Sequence, residues 1–320
     1  MQVKYLLVTA LLVALAIAVC GCSTVTPTAT PSPGPTAQFP VSLTDDFGTI
    51  VTIDKAPERI VSLSPSNTEM LFALGAGDRI AGDTEYCDYP AAAKNITHVG
   101  GYSTVSFEKV ATIGPDIIFA EDIIREDAVN RLKGMGYKVI VFMNDNLTMI
   151  RKNIVEMGQA TGTVSNATAI VNDMDRLINE IGSKVQQKDN ASRPKILLLA
   201  GYVAGKEIHP YGSGTYGDEI ISLVEGKNAA GNITGFKVIS PEVIVREDPD
   251  YIVIPVDGNM ATVYDYNYFR NGTDNWMKGL KAVKNGNVIM VEGNLFTRPG
   301  PRIPDAALAI AKALYPAQFT

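Results

Sequence analysis

The sequence is short of the residues that bind bare metals and perform nucleophilic chemistry. Its 320 residues contain two histidines, His98 and His209, and three cysteines, Cys20, Cys22 and Cys87. A multi-histidine metal site or a zinc framework is out of reach with that stock. A Ser-His-Asp triad has only two positions to draw on. Basic surplus is missing too. Lys and Arg number 28 against 34 Asp and Glu, a formal charge of −6, the wrong sign for a nucleic-acid partner. What is abundant is core material: 46% of residues are hydrophobic and 19% charged, which excludes disorder for the bulk of the chain. The length fits two domains or one large one.

The first forty residues read as an address and a tether. Lys4 precedes an uncharged run, Tyr5 to Val19, of 15 residues. A bilayer span needs about 20, so the run reads as a signal-peptide core within residues 1–22. It ends at Val19-Cys20-Gly21-Cys22. Small residues ahead of a cysteine resemble a lipoprotein processing site. Cys22, preceded by Gly21, fits lipidation better than Cys20; the alternative is plain cleavage beside incidental cysteines. Residues 23–40, rich in Thr, Pro and Ser and free of charge, read as an extended tether. A single acyl chain holds a membrane only marginally, so the anchor would carry more than one. Asn-x-Ser/Thr sequons stand at Asn95, Asn146, Asn166, Asn190, Asn232 and Asn271, where chance gives roughly two. The excess points to a glycosylated extracytoplasmic protein, and with this leader an archaeal-type cell surface fits best.

From Val41 short apolar runs alternate with amphipathic stretches. Strands are predicted at Ile60–Leu63, Arg79–Gly82, Ile117–Ala120, Lys138–Phe142, Ile196–Leu199, Tyr251–Ile254 and Val288–Val291. They are short and Ile/Val/Leu-rich, as strands buried on both faces of parallel sheets are. Helices are predicted at 67–74, 107–113, 126–135, 148–161, 216–225, 241–245 and 305–314. This is an α/β pattern. Residues 165–189 break the rhythm. Ile170, Val171, Met174, Leu177, Ile178, Ile181 and Val185 form one helical stripe behind Ser165 as a possible N-cap. The segment reads as a strut of about 36 Å joining a first lobe (41–164) to a second (190–320), or as one more helix on a single large sheet. The halves also repeat. Ser106-Phe107-Glu108 leads through Gly114-Pro115-Asp116 to a strand, and Ser240-Pro241-Glu242 leads through Asp248-Pro249-Asp250 to another. Asp116 and Asp250 are expected to be structural.

Several phrases carry a family resemblance. TDDFGTIVTIDKAPERIVSLSPSNTEMLFALGAGDRIAG, Tyr86-Cys87-Asp88-Tyr89-Pro90, FEKVATIGPDIIFA, GSGTYGDEIISLVEGKNAA and SPEVIVREDPDYIVI occur in this order. Together they resemble the ABC-transporter substrate-binding proteins that capture cobalamin, iron–siderophore complexes and haem. The resemblance runs from about Val41 to the C-terminus. It implies two α/β lobes joined by one long rigid helix, a ligand held between them, no resident cofactor, and delivery to a membrane permease. It also implies docking through one acidic residue per lobe, at the positions of Glu108 and Glu242. Two separated carboxylates would set register by charge-assisted hydrogen bonds; as residues near helix N-termini they also favour the dipole.

Ligand contacts are expected where strands end. The resemblance places Tyr86 at the cleft mouth and Tyr102 facing ligand. Tyr202, Tyr211, Phe236, Arg298 and Arg302 are further ligand-facing candidates, whereas Tyr216 and Phe296 are expected in the lobe core. Aromatics offer flat area to a macrocycle or catecholate. Ser66 and Glu69 have capping-box spacing. The tract Tyr264–Phe269 reads as a rim loop. His209 is a potential axial ligand or a structural residue, and Cys87, without a basic neighbour, is expected to be inert. The whole reads as a monomeric, non-enzymatic surface lipoprotein that captures cobalamin or a ferric siderophore by its periphery, with small lobe closure. A sensor or adhesion module on the same fold, or an enzyme on a nitrogenase-like scaffold, are the alternatives.

Overall fold

Consecutive residues of the central strands enter different cores, and this two-sided burial sets the layers. The structure is a computed structural model that describes residues 38–185, 192–203, 207–257 and 260–319. The predicted leader, Cys20, Cys22, most of the tether and Asn190 lie outside the described residues. Phe39 already packs against the core, so the tether stops short of Pro40.

The first lobe opens with an antiparallel hairpin, β1 (Val41–Thr44) and β2 (Ile50–Ile53), that the sequence reading missed. Its turn is held by Asp45 Oδ1, which accepts from the backbone of Phe47 (3.1 Å) and Thr49 (2.6 Å). The main sheet has four parallel strands, β3 (Ile60–Ser62), β4 (Ile80–Gly82), β5 (Ile117–Glu121) and β6 (Val139–Phe142), in the order β4-β3-β5-β6. Around them lie α1 (Pro65–Ala73), α2 (Phe107–Ile113), α3 (Glu126–Gly134) and α4 (Leu147–Thr161). The connecting helix is α5 (Val164–Lys184), 21 residues and so about 32 Å long.

The second lobe contains β7 (Lys195–Val203), β8 (Glu207–Pro210), α6 (Tyr216–Leu223), β9 (Lys227–Asn228), α7 (Pro241–Glu247), β10 (Tyr251–Val256), α8 (Met260–Arg270), α9 (Lys281–Lys284), β11 (Val288–Glu292), α10 (Asn294–Thr297) and α11 (Ile303–Leu314). Its order is β11-β10-β7-β8, with β9 also pairing β7; β8 alone runs antiparallel. Among the described residues, no helix is long and apolar enough to cross a membrane.

Ile60, Ile117, Phe119 and Ile140 of the first sheet, and Ile196, Leu198 and Val253 of the second, enter one shared core with α1, α4, α5, α6 and α11. Their neighbours Val61, Ile118 and Val139 enter a second core under α2 and α3, and Leu197, Ile252 and Ile254 a third under α7 and α8. Each such side chain is worth roughly 1.5–3 kcal/mol of burial, so the layer common to both lobes is the largest stabilising unit. Helix α5 packs between α4 and α11 and buries Ala167, Met174 and Ile181, one residue every two turns.

The repeat extends to hydrogen bonding, with two backbone donors in the first lobe and one in the second, where Pro194 has no N–H to give. Asp116 Oδ2 accepts from the N–H groups of Glu58 (2.8 Å) and Arg59 (2.9 Å), just ahead of β3. Asp250 Oδ2 accepts from Lys195 N (2.8 Å) at the start of β7. Each carboxylate latches the entry of the central strand to the neighbour that follows it in register. Burial works against Asp116, but the two backbone donors outweigh it and hold its carboxyl below the usual range.

Four local expectations are corrected. The connecting helix starts at Val164 with Thr163 at the cap position, not at Ser165, and stops at Lys184. The cap of α1 is Ser64, which accepts from Asn67 N at 3.1 Å, so Ser66 and Glu69 lie inside the helix and form no capping box. The tract Tyr264–Phe269 is not a loop but belongs to α8. Of the described sequons, Asn95, Asn166, Asn232 and Asn271 are exposed, whereas Asn146 is half-buried and caps α4 through its side-chain oxygen.

Candidate ligand-binding cleft

Strands β5 and β6 end at the boundary between the lobes, and the residues beyond them floor a cavity of about 340 Å³. The first lobe contributes Ser66, Tyr102, Glu121, Asp122, Asn144 and Asp145; the second contributes Tyr216, Phe236, Thr297 and Pro299. The position follows the general rule that open α/β sheets present ligand sites at strand carboxyl ends. The lobes are tied at this floor. Tyr216 N donates to Asp145 O (2.6 Å) and Leu147 N to Glu219 Oε2 (2.6 Å).

The floor is acidic. Glu121 accepts from Asn144 Nδ2 at 2.9 Å, and Asn144 is itself fixed by Asn153 Nδ2 at 3.1 Å from α4. Burial raises the Glu121 carboxyl, opposed by hydrogen bonds from Asn144, Ser64 and Ser66. Burial and then the Asp145 charge raise Asp122. Sequence reasoning missed Glu121, Asp122, Asn144 and Asp145. The strand-end rule applied after β5 and β6, as it was after β3 and β4, would have found them.

One aromatic wall stands on each side. Tyr86 and Tyr102 stack at 4.7 Å and 16° in the first lobe. Opposite, Phe236 lies against Tyr211 (5.3 Å) and Tyr216 (6.2 Å) and is 46% exposed. Of the two tyrosines behind Phe236, only Tyr211 departs from expectation. Tyr211 is buried beneath its neighbours, with its hydroxyl on Phe296 O at 3.0 Å and its phenol pushed up to about 12 by burial. Tyr216 is in the core as expected, at 6% exposure, donates to Phe296 O at 2.5 Å and also borders the cavity. Gly217 makes this stack possible, because a Cβ there would come within 2.3 Å of the Tyr211 ring. Phe296 is buried as expected.

The remaining expected residues are not gathered into this cavity. Tyr202 packs edge-on to Phe269 (4.9 Å) on the other face of the second sheet. Arg298 pairs with Asp88 at 2.5 Å, and Arg302 makes a two-pronged pair with Glu69 at 2.5 and 2.8 Å while covering the Tyr89 ring at 4.0 Å. Both arginines thus reach from the C-terminal segment to the first lobe. His209 lies on β8, 3.2 Å from Glu207. Cys87 is buried between the Thr68 and Thr84 hydroxyls, each at 3.2 Å, and burial raises its thiol. Glu108 and Glu242 are exposed at the second positions of α2 and α7. A hydrogen bond from Ser240 holds the Glu242 carboxyl below its usual range.

Beside the cleft, fully buried Asp83 meets His98 Nδ1 at 2.7 Å. Burial lifts its carboxyl to about 6, with His98 pulling the other way. An acid raised in the fold binds its proton more tightly there than when unfolded, so it costs stability above that value and ceases to as pH falls towards about 4. Glu121 and Asp122 act in the same sense; Asp116, held low, is lost only below the unfolded carboxylate range. The thermal midpoint of the ligand-free protein is therefore expected to rise by roughly 3 °C between pH 7.5 and 5 and to fall below pH 4. Scanning fluorimetry showing a steady decline from pH 7.5 downwards would contradict this.

Similarity to known proteins agrees with this geometry. Residues 60–295 match the model of the periplasmic binding protein family. An uncharacterized ABC transporter substrate-binding lipoprotein of Bacillus subtilis is 32% identical over 289 residues, covering 89% of this chain and 88% of that protein. A cobalamin-binding protein of Halobacterium salinarum is 29% identical over 291 residues, covering 87% and 74%. Among solved structures, the periplasmic heme-binding protein of Vibrio cholerae superposes with a TM-score of 0.69 at 26% identity, covering 81% and 99%. All three are described as binding proteins, for a transported substrate, cobalamin and heme respectively. With two α/β lobes on a shared core, a cleft at the strand ends and a family match across most of its length, the chain belongs to the periplasmic binding protein family.

Proposed function

We propose that the protein is the extracytoplasmic substrate-binding component of an ABC importer and that it captures cobalamin or a related corrinoid. The observation that carries the choice of ligand is charge. The cleft presents Glu121, Asp122 and Asp145, while the two arginines expected to meet ligand are committed to Asp88 and Glu69. An anionic ferric siderophore, or haem with its two propionates, calls for uncommitted cations. A corrinoid instead offers uncharged amides, which donate to carboxylates and Asn144, and a macrocycle that stacks between Tyr86–Tyr102 and Phe236. Haem also calls for an axial ligand. His98 is engaged by Asp83 and His209 by Glu207, and burial together with the Glu121 charge raises the Tyr102 phenol, disfavouring its anion. The similarity to a cobalamin-binding protein of Halobacterium salinarum supports the same reading.

Calorimetric titration tests it. Cyanocobalamin is expected to bind with micromolar or tighter affinity, Tyr102→Ala to weaken that binding about tenfold, and haem and ferric siderophores to bind much more weakly. Saturation by a siderophore or haem with no heat from cyanocobalamin would overturn it.

In the same reading the protein acts as a monomer, held to the membrane by a lipid on Cys22 and lifted from it by the Thr/Pro/Ser tether. Glu108 and Glu242 dock it on the permease. The four exposed sequons are the glycan sites that fit such a surface.

A further inference from the structure

Four carboxylates are buried in the described part of the chain: Asp45, Glu69, Asp83 and Asp265. The first three have cationic or imidazole partners in Lys133, Arg302 and His98. Asp265 is 9% exposed, and no hydrogen bond or ion pair reaches it among the described residues. It sits on α8 one turn before Phe269, so the two share the buried face of the helix. Its side chain lines a small recess of about 50 Å³ under the ends of β7 and β10, walled by Leu199, Ala200 and Ile254. Thr262, also at the recess, donates to Asp257 Oδ1 at 2.8 Å. Burial alone lifts the Asp265 carboxyl to about 6, so at neutral pH it is mostly ionised. An ionised carboxylate in so narrow a recess, with no protein donor, is solvated less well than in open water, which costs stability in the ligand-free state.

The recess is not remote from the cleft, since Thr297 lines both cavities. Its size admits one functional group and not a whole ligand. A recess that holds the Asp265 carboxylate, with Asp257 also in its lining and Leu199, Ala200 and Ile254 as walls, selects for a donor and against an acceptor or another anion. A primary amide supplies the N–H without the desolvation that an ammonium would demand.

We propose that the Asp265 recess is a side-arm subsite that receives a primary amide from the rim of the ligand held in the cleft. This rests on the corrinoid reading, because the corrin rim carries such amides. The test uses cyanocobalamin and its monocarboxylic acid derivatives, each with one amide hydrolysed, titrated into the wild-type protein and Asp265→Asn at pH 7.5. One derivative is expected to bind the wild type roughly 10- to 100-fold more weakly than cyanocobalamin, and Asp265→Asn to recover most of that loss. The ligand-free Asp265→Asn protein is expected to melt higher than the wild type, the opposite of a merely structural role. Equal affinity of all derivatives for both proteins overturns the subsite. Failure of the wild type to bind cyanocobalamin overturns the corrinoid reading instead, and a second arm then decides the recess. Acetamide, but not acetate, is expected to move the amide NMR signals of Gly201 and Gly293 in the wild type and not in Asp265→Leu. Signals unmoved by acetamide would remove the subsite whatever the ligand.

Discussion

Replacing both Glu108 and Glu242 by alanine is expected to abolish cyanocobalamin uptake by cells that depend on this protein, while binding in solution stays unchanged. Both side chains are exposed, and both stand at the second position of a short helix that precedes a Pro-Asp turn. Neither lines the cleft cavity. A carboxylate meeting an arginine pocket at each lobe forms charge-assisted hydrogen bonds worth about 1.5–3 kcal/mol each, and losing both removes the register that aligns cleft and permease. Were the two residues only favourable charges at helix N-termini, alanine would cost a few tenths of a kcal/mol in stability and uptake would persist. Persistent uptake by the double variant therefore ends the docking assignment. Cys22→Ala separates anchoring from docking in the same cells, because it is expected to leave the membrane fraction with both glutamates intact.

The second large effect is expected at Arg302. Its guanidinium meets Glu69, whose side chain is 5% exposed, in a two-pronged pair that joins α1 of the first lobe to the start of α11 in the second. Removing one partner of a buried pair leaves an uncompensated charge, which costs about 3–5 kcal/mol. Arg302→Met is therefore expected to lower the urea unfolding free energy by about 3 kcal/mol. Adding Glu69→Gln should restore most of it, since no orphan charge then remains. A double variant as unstable as the single one would show that the packing over Tyr89 matters more than the charge.

What was legible in the sequence was what depends on local pattern. Strands such as Ile117–Glu121 and Tyr251–Val256 are buried on both faces, so their composition alone marks them. The connecting helix showed because Ile170, Met174, Leu177, Ile181 and Val185 keep one stripe over about four turns; of these, Met174 and Ile181 are buried within the helix. The repeat showed because each Pro-Asp turn carries the same latch. Elements whose burial comes from distant chain were not legible. Helix α8 alternates tyrosines with polar residues and has no clean period; it is helical because Asp265 and Phe269 turn inward against the second sheet. Strand β8 is four residues ending in proline, and it exists as the antiparallel edge of β7. The arginines at 298 and 302 read as ligand contacts because their partners, Asp88 and Glu69, lie more than two hundred residues away. The acidic floor escaped because its carboxylates sit at the ends of two strands separated in the chain and meet only once β5 and β6 pair.

The duplicated latch has a consequence for whatever the protein docks on. Asp116 and Asp250 fix the same strand entry in each lobe, and a left-handed residue, Gly114 or Asp248, closes the helix that precedes each one. Glu108 and Glu242 are thereby presented from matching scaffolds, six residues ahead of each closing residue. To a partner they are one local motif shown twice within a single chain. A receiving surface made from two copies of one subunit needs to evolve only one kind of pocket to read both ends.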